Sequence, residues 1–338
     1  MYLAVYCARR LALIAPSLVG VLFITFALTR IIPGNPINQI VEPTVSAERR
    51  AEIARAYGLD LPYYVQFVRY LGGLVRGDLG TSFLTNRPVL DDLRHRFPAT
   101  LELTLYALGF ASLVGIPLGM ASAVRKDSWV DHAGRLLSVL GVSMPVFWLG
   151  LMLVYLLFFK LGIAPPPMGR LETGISPPPT ATGLITIDAA LAGDLKAFWG
   201  GLRALAVPAF VLGFAAMAPL ARMARSGMIE ALDSDYVRAA RALGLRARTV
   251  TVRHALKNSL LPVVTIMGAV FGYQLGGVVL IESIFAWPGM GQYAFNAAGN
   301  SDYPAVQGFI LYSTIAYVFI FFIIDILYAV LDPRVRHH

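Results

Sequence analysis

The stretch VQGFILYSTIAYVFIFFIIDILYAVL, from Val306 to Leu331, contains one acidic side chain, that of Asp325, and no basic one. A helix crosses the hydrocarbon core of a membrane, about 30 Å thick, with roughly 20 apolar residues, so this stretch is long enough to span it. The whole chain is similarly apolar, since 57% of its 338 residues are hydrophobic and 14% are charged. Such a composition lies outside the range of ordinary soluble domains. The sequence therefore predicts a membrane protein.

Six such apolar blocks occur along the chain. None alternates with the period of two expected of a strand in a membrane barrel, so all are better interpreted as helices. The fourth block is the weakest, because it is short and contains Pro208 and Pro219. The first is interpreted as an uncleaved span, since it is too long for a signal peptide and lacks a small-residue cleavage site. We predict an all-α polytopic fold with six transmembrane helices, approximately Leu11–Ile32, Leu101–Ala123, Leu136–Leu161, Ala204–Ala221, Leu260–Phe285 and Val306–Leu331.

The orientation of these spans follows from the short loops, because Lys and Arg accumulate on the cytoplasmic side of a membrane. Arg9 and Arg10 precede the first span, and the segment between the fourth and fifth spans holds eight Lys or Arg against three acidic residues. The loop 286–305 holds neither Lys nor Arg. Both termini are therefore predicted to be cytoplasmic. The formal net charge of +8 marks this side of the membrane and needs no nucleic acid to explain it.

This topology divides the chain into four parts. An N-terminal tail and the first span occupy 1–32, and an extracytoplasmic helical loop occupies 33–98. A transmembrane core of five helices follows at 99–331 and includes a cytoplasmic loop at 222–259, and a cytoplasmic tail occupies 332–338. The outer segment 162–203 contains two runs of three prolines, which predict an irregular or polyproline loop.

Two short helices are predicted in the extracytoplasmic loop. The first begins after Ser46 as N-cap and ends before Gly58. The second begins at Pro62 and places Tyr63, Phe67, Tyr70 and Leu74 on one face. Aromatic side chains on such a face suit the membrane interface. A cap over the helix ends and a docking surface for an external partner remain equally open roles for this loop.

No catalytic motif is present in the sequence. The dipeptide Gly-Lys does not occur, which excludes a phosphate-binding loop of the G-x-x-x-x-G-K-[ST] type. The five histidines are scattered without the spacing of metal ligands, and Cys7 is the only cysteine. We therefore expect neither an enzyme nor a metal site, and if ATP drives this protein another subunit must hydrolyse it.

Ionisable residues within the predicted spans are few, and such residues are functional candidates because they are costly there. Glu282 lies near the outer end of the fifth span and Asp325 in the inner half of the sixth. We expect Asp325 to pair with a basic residue such as Arg222 or Arg225. Glu102 and Lys160 are expected to reach the interface by extending their side chains.

The stretch YVRAARALG in the loop between the fourth and fifth spans predicts a short helix. Asp233 or Ser234 stands at its N-terminus and Gly244 at its C-terminus. Tyr236, Ala239, Ala240 and Leu243 follow one another at i, i+3, i+4 and i+7, so they form a small apolar face. A helix of about ten residues is marginal alone in water and must pack on something. The alternative is a basic surface helix attracted to anionic lipid head groups.

These residues also carry a resemblance. YVRAARALG, followed by RHALKNSLLP, resembles the EAA loop of binding-protein-dependent ABC importers, in the version found in dipeptide and oligopeptide permeases. Arg238 stands where the general motif has Glu, and the distance from Gly244 to Pro262 exceeds that of sugar permeases; both features resemble the peptide branch. The other blocks that resemble this family are RIIPGNP, YGLDLPYYVQFVRYLGGLVRGDLGTSF, PATLELTLYALGFASLVGIPLG, SMPVFWLGLML, ESIFAWPGMGQ and DILYAVLDPRVR.

The resemblance implies a type I ABC importer permease fold in a bacterial inner membrane. It implies that the chain pairs with a second, similar permease, that two ATPase subunits bind ATP and Mg²⁺ below, and that an external binding protein delivers peptides from above. No cofactor is expected in the chain itself. The loop helix would be the coupling helix that docks on an ATPase, through Tyr236, Arg238, Ala239, Ala240, Leu243 and Gly244.

The translocation pathway is less defined in the sequence. Pro145 interrupts helical hydrogen bonding within the third predicted span, and Ser143, Pro145 and Trp148 are candidate lining residues. Prolines and small residues also serve helix packing in membranes. Likewise, Gly268, Gly272, Gly276 and Gly277 are expected to permit close helix contact.

Two other classes of function stay open at this stage. A secondary carrier or channel would transport solutes as a single chain under an ion gradient, although no carboxylate lies near the middle of a predicted span. A membrane scaffold would bind no ATPase and move no solute.

Overall fold

The computed structural model describes the backbone of residues 2–31, 37, 45–56 and 58–331, and their side chains except 2–15, 31, 276–277 and 325–331. The regular secondary structure of these residues is helical, apart from an isolated bridge between Thr81 and Pro88. The pairing predicted for Asp325 falls outside the described side chains. The helices run Tyr2–Ile31, Ala47–Ala56, Tyr63–Val75, Val89–Val124, Trp129–Ser143, Val146–Leu153, Ile185–Ala192, Leu195–Leu232, Asp235–Ala242, Ala247–Thr249, Leu256–Ser259, Leu261–Gly277, Val279–Ile284, Met290–Gly299 and Tyr303–Leu331, with π-helical turns at Val154–Lys160 and Val250–Ala255.

Several of these helices are suited to a membrane by length and composition. Val89–Val124, Leu195–Leu232 and Tyr303–Ile324 are each long and apolar enough to cross one. Two bent pairs reach that length if each pair is counted as one crossing: Trp129–Ser143 with Val146–Lys160, and Ala247–Ser259 with Leu261–Leu275. In the first helix, the side chains described from Pro16 to Arg30 form a shorter apolar stretch.

The fourth span was expected to be the weakest, and this expectation is wrong. Leu195–Leu232 has 38 residues and continues through Pro208 and Pro219. Each proline removes one backbone hydrogen bond, but Pro208 is buried together with Leu205 and Ala209. Neighbouring helices can satisfy the carbonyl groups that a proline leaves free.

The segment 162–203 is also more regular than predicted. It contains the helix Ile185–Ala192 and the first turns of the long helix. Gly193 ends the short helix in the left-handed conformation, with φ of 69°. The carboxylate of Asp194 then accepts the backbone N–H of Ala197 at 2.9 Å and caps the long helix. The sequence Gly-Asp therefore stops one helix and starts the next.

Two compact units make up the chain, and residues 99–287 and 319–338 form one of them. Its centre is the long helix Leu195–Leu232, which packs closely on the helix Val89–Val124. A Cβ added to Gly119 would lie 2.2 Å from the carbonyl oxygen of Ala221, and one added to Gly213 would lie 2.7 Å from that of Ala107. Glycine thus permits backbone contact here. Ala107 and Gly213 form the earlier contact on both helices, and Gly119 and Ala221 form the later one. The two helices therefore run in the same direction.

The bent pair that begins at Trp129 also packs on the long helix. At one end the carboxylate of Asp131 contacts Arg225, and further along Gly141 lies against Phe214. After the bend, Leu153 lines a cavity together with Val207. Later residues of the pair thus contact earlier residues of the long helix, so the part of the pair before the bend runs antiparallel to it.

Residues 1–98 and 288–318 form the other unit. Its core contains Val89, Leu93, Met290, Tyr293, Ala297 and Ala305. The carboxylate of Asp302 accepts hydrogen bonds from the hydroxyl of Ser82 at 2.6 Å and from the backbone N–H of Leu84 at 3.2 Å. These contacts hold the turn around Thr81 and Pro88 against the start of the last helix.

The two predicted loop helices are present in this unit, at Ala47–Ala56 and Tyr63–Val75. The aromatic face predicted for the second helix is divided, however. Phe67 packs on Phe26 of the first helix, with ring centroids 5.3 Å apart, while Tyr63 stays 65% exposed. Phe67 and Tyr70 both lie on the side of their helix that faces the first helix, where their rings pack on Phe26.

Candidate functional site

The loop helix predicted from YVRAARALG is confirmed as Asp235–Ala242. Ser234 stands at its N-cap, but the Ser234 hydroxyl donates to the carbonyl oxygen of Ala231 and does not cap the helix. Gly244 adopts the left-handed conformation, with φ of 75°. The backbone N–H of Leu245 then donates to the carbonyl oxygen of Ala240 at 3.3 Å, a hydrogen-bond pattern that ends a helix.

One side of the loop helix is anchored in the chain's own core. Val237 is 0% exposed and Ala240 is 6% exposed. Their side chains pack in a cluster that also contains Ala123, Met228, Ala231, Val250 and Ala255. We call this set of buried residues the anchor cluster. It supplies the tertiary packing that so short a helix requires.

The single contact face predicted for this helix needs a correction. At about 100° per residue, Ala240 lies on the edge of the predicted face, next to Val237. The structure buries it with Val237. The exposed face therefore consists of Tyr236, Ala239 and Leu243, and we call these three residues the docking face.

The docking face is apolar and open. Leu243 is 81% exposed and Tyr236 is 41% exposed, and a Cβ added to Gly244 would meet no atom within 4 Å. Arg238 is exposed and pairs with Asp235 on its own helix. Clustered apolar side chains that stay exposed on a rigid element mark an interaction surface.

A buried ion pair that the sequence did not reveal lies beside the loop helix. The carboxylate of Asp131 is fully buried and accepts two hydrogen bonds from Arg225, at 2.8 and 2.9 Å from Nε and Nη2. Arg135 approaches the same carboxylate at 3.2 Å. Arg225 belongs to the long helix. Met228 and Ala231, which are part of the anchor cluster, lie one and two turns further along the same helix. We expected Arg222 or Arg225 to pair with Asp325, and the structure gives Arg225 this other partner.

The candidate pathway residues lie around a sharp bend. The two helices that meet at Pro145 are inclined by 97°. Met144 is extended, with φ of −86° and ψ of 123°, because a residue before proline is disfavoured in the helical region. Ser143, Pro145 and Trp148 are all exposed around this bend. They therefore form part of the free surface of this chain.

Buried carboxylates form a second polar site. Glu102 is 2% exposed, so the expectation that it extends to the membrane interface is wrong. It pairs with Arg170 at 2.6 Å and accepts hydrogen bonds from the hydroxyl and backbone N–H of Thr186. Glu282 is also fully buried and accepts a hydrogen bond from the hydroxyl of Thr100 at 2.6 Å. Lys160, by contrast, is exposed as expected.

These carboxylates join segments that are distant in the sequence. Arg170 also donates to the carbonyl oxygen of Gly183 at 2.7 Å, so its guanidinium connects the loop before the helix Ile185–Ala192 to Glu102. Within the described residues, no group of three or more His, Cys, Asp or Glu side chains could hold a metal ion. The described geometry provides an exposed docking face, a bent helix pair, a buried ion pair between two helices and a second one between a helix and a loop.

Comparison with known families matches nearly the whole chain. Residues 115–337 match the family of binding-protein-dependent transport system inner membrane components. Residues 3–104 match the N-terminal region of the membrane components of the same transport systems.

Individual relatives agree over similar lengths. The chain is 40% identical to the dipeptide transport system permease protein DppB of Alkalihalophilus pseudofirmus, over 98% of this chain and 99% of the relative. It is 44% identical to the probable D,D-dipeptide transport system permease protein DdpB of Escherichia coli, over 94% and 93%. It is 42% identical to the di/tripeptide transport system permease protein DppB of Pseudomonas aeruginosa, over 98% of both chains. The chain therefore belongs to the family of binding-protein-dependent transport system inner membrane components, as a multi-pass peptide permease of the ABC transporter type.

Proposed function

We propose that this chain is a permease subunit of an ABC importer that moves di- or oligopeptides across a bacterial inner membrane by alternating access. The names of its relatives support the peptide class, since they are dipeptide, D,D-dipeptide and di/tripeptide permeases. The absence of a Gly-Lys dipeptide supports a division of labour in which separate subunits hydrolyse ATP.

The proposed membrane topology has six spans, with both termini and the loop 222–259 in the cytoplasm and the segment 33–98 outside. The direction of helix contacts supports it. The helix Val89–Val124 runs with the long helix, and the bent pair that begins at Trp129 runs against it. The second bent pair also runs against it, because Gly227 meets Ser259 while Leu212 meets Gln274. The second to fifth predicted spans therefore alternate in direction, which supports the proposed topology.

The docking face is the single observation that carries the proposed coupling to ATP. The loop helix is fixed from behind by Val237 and Ala240 and presents Tyr236, Ala239 and Leu243 outward. In the proposed complex, each of two ATPase subunits receives one such helix, from this chain and from a second, similar permease. ATP and Mg²⁺ bind to the ATPases, and an external binding protein supplies the peptide.

Two sets of contacts connect the loop helix to the predicted membrane spans. The anchor cluster joins it to the end of the long helix, and the Asp131–Arg225 pair joins that end to the helix before the Pro145 bend. Packed helices tied in this way shift together. Ser143 and Trp148 are exposed at the bend, and we place them on the pathway between the two permease subunits.

Charge on the docking face tests this proposal. We expect Ala239→Glu and Leu243→Glu to reduce peptide uptake by about tenfold or more, the effect of losing about 1.4 kcal/mol of docking free energy. Both residues are exposed, so the variants should reach the membrane in normal amounts. The measurement is ATP-dependent peptide uptake in cells, together with ATPase co-purification.

Ala247→Glu is the matched control, because Ala247 is also exposed but begins the next helix. It should transport as the natural chain does. Normal uptake and normal ATPase recovery by Leu243→Glu would contradict the coupling role of the docking face.

A further inference from the structure

The unit formed by residues 1–98 and 288–318 contains a cavity that the proposed transport function does not use. It measures about 350 Å³ and lies between the first helix, the helix Tyr63–Val75 and the start of the last helix. Phe26, Arg30, Gln66, Tyr70 and Tyr303 are among the residues that line it. Protein pockets that bind small ligands measure about 300 to 1,000 Å³, so the cavity is large enough for one.

Arg30 brings a positive charge into this cavity, and no described carboxylate forms an ion pair with it. Its guanidinium lies 5.2 Å from the ring centroid of Phe26 and 5.1 Å from that of Tyr303. Its buried Nε has no hydrogen-bond partner, and none of the ion pairs found among the described residues includes Arg30. Contacts with aromatic rings stabilise a cation only in part. A guanidinium in such surroundings is expected to attract an anion.

Other polar groups in the cavity wall also favour an anionic ligand. Arg69 adds a second guanidinium group to the cavity wall, and Asp78 supplies its one carboxylate. That carboxylate already accepts a hydrogen bond from the backbone N–H of Gly80 at 2.8 Å. Gln66 is 8% exposed, and its Oε1 has no hydrogen-bond partner in the described structure, nor has the buried hydroxyl of Tyr70. Buried polar atoms are seldom left without a partner, so a polar ligand would complete this wall.

The surroundings of the cavity identify the class of anion. Arg30 ends the apolar stretch Pro16–Arg30, and the same helix exposes Phe23, Ile24 and Leu28, each by more than half. The neighbouring helix exposes Tyr64 and Val68. Aromatic and apolar side chains beside arginine at the end of a span are typical of the membrane interface. A ligand here would therefore have an anionic head and an apolar tail.

We propose that this cavity binds the phosphodiester of an anionic phospholipid. The phosphate pairs with the guanidinium groups of Arg30 and Arg69, and the acyl chains lie along the exposed face of Phe23, Ile24 and Leu28. Planar guanidinium groups suit phosphate oxygens, because they donate two parallel hydrogen bonds. This inference depends on the membrane placement of the first helix and not on coupling to ATP.

Lipid retention tests the inference. The full chain is purified in detergent, incubated with equal amounts of dioleoyl phosphatidylglycerol and dioleoyl phosphatidylcholine, and examined by native mass spectrometry. Both lipids carry a phosphodiester, but the choline of phosphatidylcholine is a cation and is repelled by the two guanidinium groups. We therefore expect phosphatidylglycerol to be retained over phosphatidylcholine by about tenfold, a ratio that corresponds to about 1.4 kcal/mol. Arg30→Gln should abolish this preference, and Arg69→Gln should reduce it several-fold. Arg69 is exposed, so its variant keeps the test valid should Arg30→Gln fail to fold.

Arg76→Gln is the matched control, because Arg76 is exposed at the end of the same helix and does not line the cavity. It should retain the lipid as the natural chain does. Equal retention of the two lipids would overturn the inference, as would an unchanged preference in Arg69→Gln. Displacement of phosphatidylglycerol by millimolar inorganic phosphate or by a dipeptide would also overturn it, because the cavity would then be a site for soluble anions.

Discussion

At the scale of single residues, buried carboxylates join segments that are far apart in the sequence. Asp131 reaches Arg225, and Glu102 reaches Arg170 and Thr186. An unpaired charge in such surroundings would cost several kcal/mol, so each carboxylate depends on its partner. Asp131 thereby joins two helices, and Glu102 joins its helix to the segment that contains Arg170.

Asp131→Asn should destabilise the chain by about 3 kcal/mol, because it leaves the guanidinium of Arg225 without a counter-charge. The measurement is denaturant unfolding of the detergent-purified protein. Asp127→Asn is the control. Asp127 is 74% exposed and lies 3.8 Å from Arg135, and exposed pairs contribute about 0 to 1 kcal/mol. Equal unfolding curves for the Asp131 and Asp127 variants would show that the buried pair contributes no stability.

The sequence identified such residues only in part. Glu282 and Glu102 were recognisable as ionisable groups within apolar blocks, but their partners could not be predicted. Thr100 lies 182 positions from Glu282 in the sequence, and no local pattern relates the two. Glu102 was assigned to the interface for the same reason, since Arg170 stands in a segment that local patterns predict to be irregular.

At the scale of helices, glycine decides how closely the long helix is packed. Its neighbour Val89–Val124 presents Gly119 to the backbone of Ala221. Periodicity predicted the apolar blocks and the loop helix, because both are properties of local sequence. The 97° bend and the burial of Ala240 were not predicted in this way. Both depend on which surfaces meet in three dimensions.

Gly119→Ala should destabilise the chain by about 1 to 3 kcal/mol, the usual cost of overpacking, because the new Cβ would lie 2.2 Å from a backbone oxygen. Gly109→Ala is the control on the same helix, since its Cβ would meet no atom within 4 Å. It should be neutral or stabilise the helix by about 0.5 to 1 kcal/mol. Thermal unfolding of the two purified variants provides the comparison. If both behave alike, the close helix contact is not required.

At the scale of the whole molecule, the chain is a peptide-type ABC permease with an exposed loop helix and a bend of 97° at Pro145. Composition predicted the membrane class, and the motifs in several blocks indicated the family. The orientation inferred from the charge distribution stays a prediction. Which peptide is carried could not be predicted, because selectivity in this proposal resides largely in a separate binding protein.

The most direct test is peptide uptake by the reconstituted complex. The chain is purified with its partner permease and ATPases, inserted into liposomes and supplied with the binding protein and a labelled dipeptide. The account predicts uptake that requires ATP hydrolysis, stops with a non-hydrolysable ATP analogue and falls by about tenfold or more with Leu243→Glu, the effect of about 1.4 kcal/mol. Uptake by this chain alone under an ion gradient, without ATP or an ATPase, would contradict it.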